Sequence, residues 1–401
     1  MVKSMSLLNR PRATRLMEEH HLDAIIATTP EHVLYTSGIY SFAQWYRRAV
    51  QAFAVFGRDP AAATAVVLPL IDAHQASSPD GTIVVVPYGP FPYAAADAAA
   101  LRAPDRRLVD WSRDVAATPL EALVTAIDAL GLGSGRLGVD TARLWPMRLD
   151  ELAAALPGAT LDDAYPLLQQ VRMVKTSAEV ELLRGAARAT EQAFLASLAT
   201  LREGVMERDV ARAFESALAA QGARPSLTTI AFDEHGAYPT AQAGERRLRA
   251  GTVVRYDIGC RYEGYYADMA RIAVVGTPTD RVRTYYQALR DGAEAALGAI
   301  RPGVTTAQLF RRAVETVQAG GIPHYERPHV GHGIGLEPYD LPSLSPGEKD
   351  TAVALEPGMV INVETPYYEV GSWGLQVEDT VVVTEQGYEP LTTISRDLYV
   401  V

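Results

Sequence analysis

Two stretches decide the fold: 251–268, GTVVRYDIGCRYEGYYAD, and 358–378, GMVINVETPYYEVGSWGLQVE. Each opens on a glycine with a carboxylate six residues later, Asp257 after Gly251 and Glu364 after Gly358. Each then passes a further glycine with a carboxylate four residues on, Asp268 after Gly264 and Glu378 after Gly374. The runs VVRYD, VINVE and LQVED are apolar and β-branched, which predicts buried strands. A carboxylate in such a strand is costly unless it is ion-paired or holds a metal. One alone is ordinarily an ion-pair partner. Four at repeated offsets point to a shared cation.

The repeat extends outward from these strands. R-x-G-V at 202–205 recurs at 301–304, and each copy leads into a helical pattern ending at a glycine, Gly222 and Gly321. Thr176 with Glu179 and Thr305 with Gln308 have the spacing of capping boxes, in which hydroxyl and side-chain acceptor each satisfy a free helix N–H. Behind the first, Val180, Leu183, Ala187, Phe194, Leu198 and Leu201 recur at helical steps, predicting a long amphipathic helix closed near Gly204. A second helix is expected over 208–221. Two αα-ββ halves of this kind would gather the four acids about one pseudo-twofold axis, in a second domain placed at 167–401.

Residues 1–166 have a different texture. DAIIATT (23–29), AFAVFG (52–57), TAVVLPL (64–70) and TIVVVPY (82–88) read as buried strands, and 118–130 as a helix ended by Gly131. This is an α/β domain without a catalytic motif.

Between the two acidic stretches lies Gly331-His332-Gly333-Ile334-Gly335. Glycines on both sides let the backbone approach closely and leave the imidazole open to an ion. The segment lacks the Lys-Ser/Thr of a phosphate loop. Asp257, Asp268, His332, Glu364 and Glu378 together suit two divalent cations about 3.5 Å apart, able to deprotonate a bridging water and polarise a carbonyl. A carboxylate-rich set with a single imidazole favours Mn²⁺, with Co²⁺, Zn²⁺ or Fe²⁺ as alternatives.

Composition narrows the remaining classes. The 401 residues allow two or three domains, and 21% charged with 48% hydrophobic residues is ordinary for a globular protein. Lys and Arg number 37 against 48 Asp and Glu, a net charge of −11 that argues against nucleic acid or an anionic membrane as partner. The single cysteine, Cys260, excludes an internal disulfide, fits a reducing compartment and reads as a small packing residue. MVKSMSLLNRPRATRL has no apolar signal core, and no run of about 18 apolar residues follows. A soluble cytoplasmic protein is expected.

The order D-x10-D, GHGIG, EPGMVxxxE-x13-E, closed by GLQVEDTVVVTEQGYEPLT, resembles the pita-bread metallopeptidases over roughly 170–401. These include methionine aminopeptidase, aminopeptidase P, prolidase and their relative creatinase. The α/β domain in front makes the chain similar to the aminopeptidase P, prolidase and creatinase branch. The resemblance implies an α+β pita-bread catalytic domain with internal pseudo-twofold duplication behind a creatinase/prolidase-type α/β domain. It also implies a dinuclear metal site, Glu364 as both ligand and proton shuttle, and a homodimer.

The same resemblance exposes four departures. Thr240 (in AYPTA), Pro328 and Tyr339 stand where prolidase-like enzymes place histidines, and Gln376 stands where they place an arginine. Such groups bind the scissile carbonyl and stabilise the tetrahedral intermediate. Thr240 and Gln376 therefore become candidate substrate contacts. Tyr339 or His329 is a replacement oxyanion donor, and Asp340 a replacement base, unless EPYDLP is only a proline-bounded turn. In GIYSFAQWYRRA (38–49), Trp45-x-Arg47 looks like the aromatic-x-Arg loop with which creatinase subunits bind a small carboxylate. The expected activity is metal-dependent hydrolysis of an amide-type C–N bond in an Xaa-Pro dipeptide or short peptide. The alternative is a non-peptide enzyme on this scaffold, either a creatinase- or ectoine-hydrolase-like hydrolase or a small-zwitterion lyase resembling the dimethylsulfoniopropionate lyases. Five intact ligands argue against a non-enzymatic interaction module.

Overall fold

The computed structural model describes residues 7–76, 82–95, 101–113, 115–347 and 352–401 and divides the chain into two units, Met1–Arg172 and Met173–Val401. In the first unit the four apolar runs form strands Ala24–Ala27, Phe53–Gly57, Thr64–Pro69 and Ile83–Tyr88. With Arg136–Val139 and Thr160–Asp163 they build one six-stranded sheet. Ala24–Ala27 pairs antiparallel with Phe53–Gly57 and parallel with Arg136–Val139. Ile83–Tyr88 departs from the expectation of full burial: it is half-buried at the edge of the sheet, where only Tyr88 has a bridge on its outer side, to Ala116, among the described residues. The helix Pro119–Ala129 starts at a Thr118–Glu121 capping box with proline in its first turn, and Gly131 at φ 70° follows its end. Its Leu123, Ala126 and Ile127 pack with Val55, Val67 and Leu137.

The second unit carries the duplication in its hydrogen bonds. Helices Ser177–Leu198 and Glu207–Ala220 precede strands Arg224–Phe232, Val253–Tyr262 and Tyr265–Val274. Helices Asp280–Leu297 and Thr306–Ala319 precede His332–Gly333, Asp340–Ser343, Val360–Glu364 and Glu378–Val383. Both capping boxes are formed. Gly204 at φ 85° donates its amide to Leu248 O at 2.8 Å, and Gly303 at φ 86° donates to Leu355 O at 2.9 Å. The first helix stops at Leu198, earlier than expected, because Gly204 belongs to this separate turn rather than to the helix cap.

The strands of both halves join in one antiparallel sheet, in the order Asp340–Ser343, His332–Gly333, Val360–Glu364, Glu378–Val383, Tyr265–Val274, Val253–Tyr262, Arg224–Phe232. Strand residues alternate between faces. Val254, Tyr256 and Ile258 pack with Phe194 and Phe214, while Ile361, Val363 and Val381 pack with Leu309 and Phe310. The alternate residues, Arg255, Asp257, Asn362 and Glu364, therefore face away from the helices. Among the described residues no helix is long and apolar enough to cross a membrane.

Candidate metal centre

Register brings the acids together. Glu364 lies directly across from Glu378, Glu378 from Ala270, and Ala270 from Asp257. Residues paired across antiparallel strands share a face, and Asp268, two before Ala270, shares it too. All four carboxylates thus point to the side of the sheet opposite the helices. His332 enters at the neighbouring strand, where Gly333 pairs with Ile361. The glycines around it are there for space: a Cβ on Gly331 would lie 2.0 Å from Asn362 O, and one on Gly333 would lie 2.1 Å from Leu341 O.

Ligand atoms of Asp268, His332 and Glu378 all lie within 4.8 Å of one another. His332 Nδ1 is 2.9 Å from Gly333 O, which fixes the ring with Nε2 on the Glu378 side, 3.9 Å from Oε1. Glu364 and Asp257 join the cluster through hydrogen bonds. Gln376 Nε2 donates to Glu364 Oε2 at 3.4 Å and to Glu378 Oε2 at 3.2 Å. Arg255 Nη1 donates to both Asp257 Oδ2 and Gln376 Oε1 at 3.0 Å. Asn362 Nδ2 donates to Glu378 Oε1 at 2.9 Å, and Thr380 in turn donates to Asn362 Oδ1.

The electrostatics call for a cation. Burial, with neighbouring acid charges adding to it, pushes the Asp268 and Glu378 carboxyls well above their ordinary range. Burial raises Asp257 to about 6, with Arg255 opposing and Glu364 adding. Glu364 goes the other way: burial raises it, but the contact with His329 and the nearby charges of His332 and Arg327 bring it below its ordinary value. Burial lowers His332, against the opposing pull of the Glu364 charge, which favours the neutral imidazole able to coordinate. Asp268 Oδ1 is buried without a hydrogen-bond partner. An unpartnered carboxylate oxygen among acids and a neutral imidazole fits a divalent cation and is expensive without one.

The proposed replacement groups fall in different places. His329 Nδ1 lies 3.1 Å from Glu364 Oε1. Tyr339 is 65% exposed as a residue, yet its ring sits 4.0 Å, centroid to centroid, from the His332 ring. Asp340 is buried and ion-paired with Lys175 Nζ at 3.1 Å, a partner from far along the chain that sequence proximity to Tyr339 did not reveal. The Thr240 side chain is exposed, and it is the backbone beside it that enters the network: the Tyr238 and Pro239 carbonyls accept from Arg255 Nη2. Trp45 and Arg47 belong to the first unit, where Trp45 stacks on Tyr40 and Arg47 is the exposed cap of the helix Phe42–Tyr46. Cys260 is buried against Thr190 and Ala186 O, and burial pushes its thiol up to about 11.

Residues 181–385 match the model of metallopeptidase family M24, and 10–174 match that of the creatinase/prolidase N-terminal domain. The chain belongs to metallopeptidase family M24. An Xaa-Pro dipeptidase of Pyrococcus furiosus is 33% identical over 234 residues, 58% of this chain and 66% of that protein, just under two thirds of its length. The dipeptidase PepE from Mycobacterium ulcerans superposes with a TM-score of 0.77 at 28% identity, covering 98% of this chain and 96% of that one. The X-Pro aminopeptidase from Thermotoga maritima MSB8 shares the fold, with a TM-score of 0.76 at 23% identity over 98% of this chain and 99% of that one. Two domains, a creatinase/prolidase-type unit and a pita-bread unit, are therefore those of the M24 family, whose chemistry uses divalent metal ions.

The family resemblance expects an arginine at position 376. Gln376 stands there, and its Oε1 accepts from Arg255 Nη1 on another strand. Arg255 went unremarked in the sequence, although a charge two residues before Asp257 in an alternating buried strand was the available signal. Asn362, two before Glu364, carried the same positional signal without a charge, and Lys175 carried none.

Proposed function

We propose that the chain is an Xaa-Pro dipeptidase or aminopeptidase P-like hydrolase whose Asp257, Asp268, His332, Glu364 and Glu378 hold two divalent ions. The observation that carries this reading is the row of four carboxylates on one sheet face, with Asp268 Oδ1 buried and unpartnered beside His332. When bound, the ions supply a water activated at neutral pH and a polarised scissile carbonyl. Glu364, the one acid of the cluster whose pKa is lowered, accepts the proton of the attacking water and passes it to the leaving nitrogen. His329 orients Glu364 through the contact at 3.1 Å. The Tyr339 hydroxyl donates to the developing oxyanion, and desolvation together with the acid charges raises its pKa, so it stays protonated. Gln376 and Arg255 hold the carboxylates in register. Lys175 commits Asp340 to an ion pair, which takes it out of proton transfer.

The carboxylate-rich donor set supports Mn²⁺ as the ion. A homodimer follows from the family resemblance, and a buried, unreactive thiol fits a cytoplasmic setting. The replaced histidines favour a second reading, a non-peptide substrate on the same scaffold. A panel on the Mn²⁺-loaded enzyme separates the two: Xaa-Pro dipeptides against small carboxylated guanidino, ectoine-like and sulfonium compounds. Turnover of Xaa-Pro dipeptides supports the proposal. Turnover of another class without any Xaa-Pro activity sinks it.

A further inference from the structure

Lys175 comes well before the first acid in the chain, yet two glycines of the signature stretches make room for it. A Cβ on Gly335, the last glycine of Gly331-His332-Gly333-Ile334-Gly335, would lie 2.3 Å from Asp340 Oδ2 and 3.1 Å from Lys175 Cε. One on Gly358 would lie 3.1 Å from Lys175 O, and the Lys175 amide donates to Gly358 O at 2.9 Å. Lys175 therefore joins two elements of the site. Its backbone is fixed to the segment that leads into Val360–Glu364. Its ammonium holds Asp340 at 3.1 Å, in a pair whose side chains are buried. The capping box that follows ties the same turn to a third element: Glu179 Oε1 accepts from Tyr265 Oη at 3.0 Å, on the strand that carries Asp268.

Asp340 follows Tyr339 in the chain, and the two are in opposite states. Tyr339 is largely exposed, and among the described residues its ring meets those of His332 and His329. The charges of Glu364, Asp268, Glu378 and Asp257 all act on its hydroxyl. A ring so exposed keeps its conformational freedom unless the backbone beside it is fixed. Asp340 supplies that fixture. It is buried, opens the strand Asp340–Ser343 across from Gly333, and ends on the lysine. We infer that the Lys175–Asp340 ion pair positions Tyr339, fixing the chain on its C-terminal side and so holding the hydroxyl at the metal centre. Lys175 and Asp340 are positioning residues, and their effect on catalysis passes through Tyr339. This rests on the role given above to the Tyr339 hydroxyl.

The test is a double-mutant cycle. Lys175→Met removes the ammonium, whereas Gly335→Ala keeps both charges and sets a methyl against Asp340 Oδ2. Each is made in the wild-type and Tyr339→Phe backgrounds, and hydrolysis of Ala-Pro by the Mn²⁺-loaded enzymes is measured. In the wild-type background each should lose about 10-fold in kcat, with KM within about threefold. In the Tyr339→Phe background each should lose less than about twofold further, because the group they position is gone. Metal content should stay at the wild-type level. Fluorine NMR of the chelated protein, with fluorotyrosine placed at position 339, follows the ring directly, and each variant should shift or broaden its resonance. Losses that multiply in the Tyr339→Phe background, an unchanged kcat, or loss of metal overturn the inference. If Lys175→Met fails to fold, Gly335→Ala decides. If wild type does not cleave Ala-Pro, or Tyr339→Phe keeps the wild-type kcat, the role of the hydroxyl fails and the resonance decides positioning by itself. A resonance moved by the variants then supports the ion pair as the fixture, and an unmoved one overturns it.

Discussion

Replacing Asp268 with asparagine should stabilise the metal-free protein at pH 8 and destabilise the metal-loaded one. Two unit charges at 4.8 Å, the span within which the Asp268, His332 and Glu378 ligand atoms lie, repel by about 3.5 kcal/mol at an effective dielectric of about 20. Removing one charge relieves that repulsion, less the cost of about 1–3 kcal/mol for seating an amide where Oδ1 has no partner, leaving about 0.5–2.5 kcal/mol. For a domain of this size that is a rise in Tm of about 1–10 °C. The sign depends on pH. Burial raises the Asp268 pKa in the folded state, so the native protein holds a proton that the unfolded chain releases once pH passes the ordinary carboxylate range. Wild-type stability therefore falls as pH rises from that range towards the raised pKa, and the advantage of the variant shrinks as pH is lowered back towards that range. Saturating Mn²⁺ reverses the order, because only wild type gains the full linkage stabilisation. Scanning calorimetry of chelated and Mn²⁺-loaded samples at pH 5 and 8 reads all four states. Chelated Asp268→Asn no more stable than wild type at pH 8, or a gap equal at both pH values, would refute the electrostatic account.

Tyr339→Phe should lower kcat on an Xaa-Pro dipeptide by about 10- to 100-fold with KM little changed, and an unchanged kcat removes the hydroxyl from the mechanism. Lys175→Met takes the lysine from the buried Asp340 carboxylate and should cost about 3 kcal/mol in urea unfolding. A loss below about 1 kcal/mol would show that the pair contributes little to the native state.

The sequence made the catalytic half legible because strand geometry has a period of two. Carboxylates at matched offsets from matched glycines had to share a face once the two halves paired, and the pairing of Glu364 with Glu378 and of Asp257 with Ala270 completes that argument. The repeated R-x-G-V was legible as a repeat, since Gly204 and Gly303 take up φ near 85° in equivalent turns, but the role of Gly204 was not, because the helix before it is capped at Ala199. What surrounds the acids was not legible. Asp340 looked available beside Tyr339, but its state is set by Lys175, which no local pattern connects to it. Gln376 read as a substrate contact, whereas in the fold its amide bridges Glu364 and Glu378 and its carbonyl accepts from Arg255. Each of these depends on which side chain arrives from another strand or loop. Periodicity fixes the face of a residue and leaves its partner open.

Metal stoichiometry tests the central claim most directly. The chelated protein is dialysed to equilibrium against Mn²⁺, and bound metal per chain is measured by mass spectrometry of the digested sample, for wild type and for Glu364→Ala. The account predicts two ions per wild-type chain, retention of at most one by the variant, and hydrolysis that appears only as the second ion binds. Failure of wild type to bind a divalent ion, or a variant that keeps both ions, would contradict it.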